Sequence, residues 1–186
     1  MSRTRSMQKL NLRRRGILSA AAAAFAGLAL AGGAREGLAE ESTDWQDHFE
    51  TLEHGAVLAD LRQRVVLFWS EDGTVHRRYP AAMPDTRAFP RLGGTRIIRK
   101  VEGPTWRPTP AMRARDPELP WSLPPGPGNP FGTHALHLEW QHYRIHGTHD
   151  PSTIGGVTAH GCIGLSNAHI AELFAHTTVG TQVRLV

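Results

Sequence analysis

The residue that most directly suggests chemistry is Cys162, the only cysteine of the chain. A lone cysteine cannot close an intramolecular disulfide, and many such residues are simply small buried apolar side chains. A nucleophilic role requires a base or a positive field beside the sulfur, because a thiol with a pKa of about 8.5 is mostly protonated at neutral pH. Two histidines are candidates for that base, His146 and His160.

The segments around these three residues are also rich in glycine. His146 ends a predicted strand, and His160 stands two residues before Cys162, so the side chains of His160 and Cys162 share one side of an extended segment. Glycine permits close approach of the backbone, and glycine amides can face an oxyanion. The residues concerned are Gly147, Gly155, Gly156, Gly161 and Gly164.

Together these residues resemble the motif of the L,D-transpeptidases with a YkuD-type catalytic domain, which are exported bacterial cell-wall enzymes. The family motif is an upstream His-Gly, a gap of fixed length, and then Ser/Thr-His-Gly-Cys. Thirteen residues separate His146 from His160, which matches that gap. Residues 145–148, 152–155 and 179–183 are similar too, and the resemblance extends more weakly over residues 55–186. It implies a mainly β domain, a β-sandwich or barrel with a short helix after the Cys162 segment.

The resemblance also implies a role for each motif residue. Cys162 is the nucleophile that attacks a carbonyl of a peptidoglycan stem peptide, and His146 is the base that takes the thiol proton. The carbonyl of Gly147 orients His146, as the Asp does in a serine-protease triad. Amides of His160, Gly161 and Cys162 form the oxyanion hole. An amine of a neighbouring stem then captures the thioester, and neither a metal nor another cofactor is required.

Two positions depart from the family pattern. Many members have Ser or Thr before His-Gly-Cys and Arg two residues after the cysteine, whereas this chain has Ala159 and Gly164. Loss of the arginine removes a bidentate clamp for a carboxylate, for which Arg144 is a candidate replacement. The Thr-Pro-Thr-Gly segment of the family is also degraded, to Arg-Leu-Gly-Gly-Thr at residues 91–95. Recognition of the acyl donor is therefore expected to differ from the common pattern.

Three other interpretations remain open. Eight of the eleven histidines lie between His134 and His176, and the spacing of His142, His146 and His149 is compatible with zinc, although no His-Glu-x-x-His helix is present. The same cysteine chemistry with water as acceptor gives a carboxypeptidase or amidase, and with a protein amine it attaches an envelope protein to the wall. A wall-binding homologue without activity is the third interpretation, against which His146 and Cys162 are both retained.

The N-terminal segment predicts export, and its apolar stretch, mostly Ala and Gly, favours a cleaved signal over the alternative of an uncleaved membrane anchor. Residues 1–39 combine a basic start, an Ala-rich apolar stretch and small residues suited to cleavage, and Arg13-Arg14-Arg15 resembles a twin-arginine signal. Without this segment the chain has 14 Lys/Arg and 16 Asp/Glu, so the basic isoelectric point belongs to the signal and nucleic-acid binding is not expected. We expect a periplasmic monomer, peripheral to the cell envelope, with a linker or short helix at residues 40–54 and the catalytic domain at 55–186.

Short apolar runs between turn residues predict strands at residues 56–59, 65–69, 74–76, 95–101, 134–140, 141–146 and 183–186. Residues 104–131 contain nine prolines, which favours a loop. Trp106 and Trp121 favour a packed lid over a disordered insertion there. A helix is predicted at residues 167–175, with Asn167 as its N-cap and Ile170, Leu173 and Phe174 on one face.

Overall fold

The structure is a computed structural model that describes residues 44–85, 87, 91–158 and 162–186. The predicted signal at residues 1–39 and the site residues His160 and Gly161 lie outside the described residues, as does Ala159. Within the described part, no helix has both the length and the hydrophobicity that crossing a membrane requires.

Ten strands and two α-helices form the described domain, which is mainly β as predicted. The strands are β1 (Ala56–Asp60), β2 (Val65–Trp69), β3 (His76–Pro80), β4 (Met83–Pro84), β5 (Gly93–Glu102), β6 (His134–Leu138), β7 (Arg144–His146), β8 (Val157–Thr158), β9 (Cys162–Gly164) and β10 (Gln182–Leu185). The helices are α1 (Pro110–Arg115) and α2 (Asn167–His176). Short 3-10 helices occur at Trp45–Asp47 and Pro151–Thr153.

Eight strands form one mixed sheet in the order β3-β2-β1-β10-β5-β6-β7-β9, and β4 pairs with β8 in a second, two-stranded sheet. The large sheet is curled, because the chain that leaves β3 meets β9 at the opposite edge. There Ala82 N donates to Gly164 O at 2.8 Å, and Gly164 N donates to Ala82 O at 2.9 Å. The curl brings the last strand of the sheet, which carries Cys162, against the β3–β4 connection.

The main hydrophobic core lies on one face of the large sheet, where α2 packs with Ile170 and Leu173 fully buried. A second cluster covers the other face of β1 and β2, where Phe49 and Leu52 from the segment before β1 are buried. Strands β1 and β2 are buried on both faces, which explains why their sequences are continuously apolar and do not alternate with polar residues.

Several boundaries differ from the predicted ones for local reasons. The strand predicted at residues 74–76 is wrong except at His76, because β3 runs from His76 to Pro80. Residues 74 and 75 belong to the turn, in which Thr74 N donates to Asp72 Oδ1 and Val75 N donates to the Ser70 hydroxyl. The strands predicted at residues 134–140 and 141–146 are shorter, since residues 139–143 form a turn in which His142 has a φ of 69°.

The Pro-rich segment is not only loop, because α1 begins within it. Pro110 occupies the first helical turn, where its missing N–H costs nothing, and Thr109 is the N-cap that accepts from Met112 N. Trp106 is buried, whereas Trp121 is 81% exposed, so the expectation that both tryptophans pack is wrong for Trp121.

Helix α2 is confirmed within one residue, but its predicted N-cap is wrong. The cap is Ser166, whose hydroxyl accepts from His169 N at 3.2 Å. The side chain of Asn167 points elsewhere, and Thr133 N donates to its Oδ1 at 3.0 Å.

Candidate active site

Strands β7 and β9 hold His146 and Cys162 on one face of the sheet. The two strands are parallel, with Arg144 opposite Cys162, Ile145 opposite Ile163 and His146 opposite Gly164. Side chains alternate between the faces of a strand, and Ile145 and Ile163 are completely buried in the main core. His146 and Cys162 therefore share the opposite face as diagonal neighbours, with Cα atoms about 8 Å apart by strand geometry.

Cys162 is a buried thiol at rest. Only 9% of the residue is exposed, and Sγ lies 3.6 Å from the carbonyl oxygen of His142, to which it donates. Burial raises the pKa of the Cys162 thiol, whereas the charge of Arg144 and a hydrogen bond from its side chain act in the opposite direction. Since burial is the larger effect, formation of the thiolate requires a group that takes the proton.

The ring of His146 is held in one tautomer by the neighbouring carbonyl. Its Nδ1 lies 2.5 Å from Gly147 O, and a carbonyl oxygen can only accept, so Nδ1 carries the hydrogen. This leaves the lone pair on Nε2, the nitrogen that is then able to take a proton. Phe131 packs against the imidazole with ring centroids 4.8 Å apart, which restricts its rotation.

The glycine beside His146 leaves room for the side chain of Asn167. A Cβ on Gly147 would lie 2.3 Å from Asn167 Oδ1, and one on Gly132 would lie 2.1 Å from the same atom. The first residue of α2 is thus in close contact with the backbone whose carbonyl holds His146. The sequence analysis did not identify Phe131, Gly132 and Asn167 as residues of the candidate site. Only Asn167 could have been suspected from the sequence, because it closely follows the Cys162 segment.

The positions that depart from the family pattern have different surroundings. Gly164 is buried, and a Cβ there would lie 3.4 Å from the Cβ of Ala82, so the β3–β4 connection closes over this position. Arg144, the candidate replacement, is half-buried and adjacent to Cys162 in the paired strands.

Among the described residues, no group of three or more His, Cys, Asp or Glu side chains is arranged to hold a metal ion. Of the three histidines whose spacing is compatible with zinc, His142 and His149 are exposed, and His146 is half-buried with Nδ1 occupied by Gly147 O.

Residues 54–185 match the model of the YkuD L,D-transpeptidase catalytic domain. The chain belongs to the YkuD family of L,D-transpeptidases. A Fuscovulum blasticum protein, named as an L,D-transpeptidase from the ATP synthase subunits region, is 43% identical over 92% of this chain and 93% of its own length. ErfK/SrfK of Escherichia coli (strain K12), also named as an L,D-transpeptidase, is 35% identical over 74% of this chain, which spans only 45% of that relative.

Solved structures of the family share the fold. An L,D-transpeptidase from Mycobacterium smegmatis superposes with a TM-score of 0.53 at 21% identity, over 72% of this chain and 58% of that chain. The Mycobacterium tuberculosis enzyme LdtMt1 in complex with imipenem gives 0.53 at 18% identity, over 72% of this chain and 59% of that chain. Membership of the YkuD family implies acyl transfer as the general class of reaction and supports peptidoglycan peptides as the kind of substrate.

Proposed function

We propose that this protein forms cross-links between peptidoglycan stem peptides through a thioester on Cys162. The observation that carries the proposal is the parallel pairing of β7 with β9, which puts His146 and Cys162 on one face while Gly147 O orients the imidazole. A thiol, a base and a group that fixes the tautomer of that base are the parts that a cysteine acyltransferase needs.

The first half-reaction transfers the acyl group to the enzyme. His146 Nε2 takes the proton from Cys162 Sγ, and the thiolate attacks the carbonyl of the donor stem. Amides of His160, Gly161 and Cys162 are proposed to stabilise the oxyanion of the tetrahedral intermediate. The intermediate collapses with cleavage of the peptide bond, the terminal D-amino acid leaves as an amine with the proton from His146, and the donor remains as a thioester on Sγ.

The second half-reaction releases the thiol. The side-chain amine of a diaminopimelate or lysine residue in a second stem attacks the thioester carbonyl, with His146 taking a proton from that amine. The new amide is the cross-link, and the thiolate leaves and is reprotonated by His146. Water in place of the amine gives a trimmed stem, and a protein amine gives a protein attached to the wall.

The product distinguishes these acceptors. Purified enzyme incubated with muropeptides is expected to yield dimers cross-linked through the diaminopimelate or lysine amine, which mass spectrometry detects together with the released D-amino acid. Cys162→Ser serves as the matched control. Trimmed stems without dimers would show that water is the acceptor and that the reaction is hydrolysis. Unchanged muropeptides with folded enzyme would favour a wall-binding homologue.

We also propose that the protein acts in the periplasm after removal of its N-terminal signal. The support is the basic, Ala-rich composition of residues 1–39. N-terminal sequencing of protein recovered from the envelope is expected to begin near the end of that segment. Recovery of Met1 from the envelope would contradict cleavage, and retention in the cytoplasm would contradict export.

A further inference from the structure

A row of polar residues crosses four neighbouring strands and ends at the thiol. Arg99 on β5 is opposite His137 on β6, His137 is opposite Arg144 on β7, and Arg144 is opposite Cys162 on β9. Neighbouring strands lie about 4.8 Å apart, so Arg144 is one strand spacing from Cys162, whereas Arg99 is about 14 Å away. The row therefore contains one arginine on the strand next to Cys162 and a second one three strands away, where the backbone separation exceeds the screening length of physiological salt.

The guanidinium of Arg144 is held in place by two contacts. Its Nε donates to His137 Nδ1 at 3.3 Å, and its central carbon lies 5.3 Å from the centroid of the Phe131 ring. Phe131 is also the residue that packs on His146. The group that orients the arginine and the group that orients the base thus meet at one aromatic side chain.

His137 is suited to accept from an arginine because it stays neutral. Burial, together with the charges of Arg144 and Arg99, lowers the pKa of His137 to about 4. At neutral pH its Nδ1 therefore carries a lone pair, and the hydrogen is on Nε2. A protonated imidazole in this place would repel Arg144 and could not accept its hydrogen bond.

We propose that Arg144 is the cation that stabilises the Cys162 thiolate, and that His137 is a positioning residue that keeps the guanidinium beside the sulfur. The inference rests on the proposed role of Cys162 as nucleophile. It assigns to β7 a double function, since this strand presents both the base His146 and the cation Arg144. Arg144 lies on the neighbouring strand directly opposite Cys162, and its side chain bonds to the thiol, so its charge favours the thiolate against the cost of burial.

Charged and titratable side chains also lie on the described elements that flank β9, whereas His160 lies outside the described residues. On β7 these are Arg144 and His146, on β6 His137, and after β4 the carboxylate of Asp85, which is paired with Arg87 at 3.0 Å. His142 precedes β7 and contributes its carbonyl oxygen to the thiol. Among these described groups Arg144 is the permanent cation in the strand position opposite Cys162.

The test is a pH titration of the thiolate by its far-ultraviolet absorbance, with Cys162→Ser subtracted as the blank. The single cysteine makes the signal specific. Arg144→Gln is expected to raise the titration midpoint by about one pH unit, since an opposite charge at this range shifts a pKa by about 1–3 units. Arg99→Gln removes the same charge from the far end of the row and is the matched control, with no shift expected.

His137 supplies an independent readout through its hydrogen bond. His137→Leu is expected to raise the midpoint by less than Arg144→Gln does, and His137→Gln, whose amide oxygen can accept from Arg144, is expected to restore most of the wild-type value. If Arg144→Gln does not fold by circular dichroism, the contrast between the two His137 variants decides the question.

An unchanged midpoint in folded Arg144→Gln, equal shifts in Arg144→Gln and Arg99→Gln, or equal midpoints in the two His137 variants would overturn the proposal. The titration needs no substrate. If Arg144→Gln shifts the midpoint but the wild-type enzyme makes no cross-links, the proposed function is refuted and this inference stands. If the wild-type enzyme makes cross-links but Arg144→Gln leaves the midpoint unchanged, this inference is refuted and the proposed function stands.

Discussion

A carbapenem is expected to add its mass once to the wild-type protein and not at all to Cys162→Ser. Its strained carbonyl resembles the acyl donor, and a thiolate formed with the help of His146 should open the ring to give a stable adduct. Serine keeps the shape of the side chain but has a far weaker nucleophile, so the expected effect is complete loss of the adduct. Intact-mass spectrometry after a short incubation measures it directly.

The single cysteine makes this result simple to interpret, because no second thiol can take the label. Circular dichroism of Cys162→Ser establishes that loss of the adduct is not loss of the fold. A wild-type protein that stays folded and gains no mass would contradict the assignment of the nucleophile, as would a Cys162→Ser variant that gains the same mass as the wild type.

His146→Ala is expected to slow acylation by about 10²–10⁴-fold, the usual contribution of a positioned general base. The variant should also lose the dependence of the rate on pH near the imidazole pKa, because the group that titrates there has been removed. Stopped-flow measurements of carbapenem acylation over a range of pH provide both quantities. The exposed histidine His149 offers a matched control, and His149→Ala is expected to react at the wild-type rate.

The comparison with His160→Ala separates the two histidines of the motif. If His160 shapes the oxyanion site, its replacement lowers the rate but keeps the imidazole titration visible. The roles would be reversed if His146→Ala acylated at the wild-type rate while His160→Ala abolished the titration. Both variants require circular dichroism beforehand, because a misfolded site would imitate either result.

The thirteen-residue spacing between His146 and His160 has a structural reason that the sequence alone did not show. Parallel strands cannot be joined by a tight turn and need a crossover of a dozen or more residues. The residues between His146 and Cys162 supply it, with the 3-10 helix at Pro151–Thr153 and strand β8 along the way. Strands β8 and β9 have two and three residues, too few for an alternating pattern, so neither was predicted.

Contacts between distant segments account for the site residues that were missed. The local sequence predicts Asn167 as a helix cap, but the backbone of Thr133, 34 positions away, donates a hydrogen bond to its side chain instead. The contacts of Arg144 with His137 and Phe131 likewise depend on which strands pair and on how the Pro-rich segment returns to the sheet. Local propensity and spacing predicted the longer strands and α2, while lateral register determined which polar groups meet at Cys162.

In the proposed reaction Cys162 carries the donor stem as a thioester, and the most direct measurement is to trap that species. Wild-type enzyme is mixed with a donor stem peptide in the absence of any acceptor amine, quenched in acid, digested and analysed by tandem mass spectrometry. The expected result is a Cys162 peptide that carries the donor without its terminal D-amino acid, with no such species in Cys162→Ser. An acyl group on another residue, or cross-linked product formed by Cys162→Ser, would contradict the account.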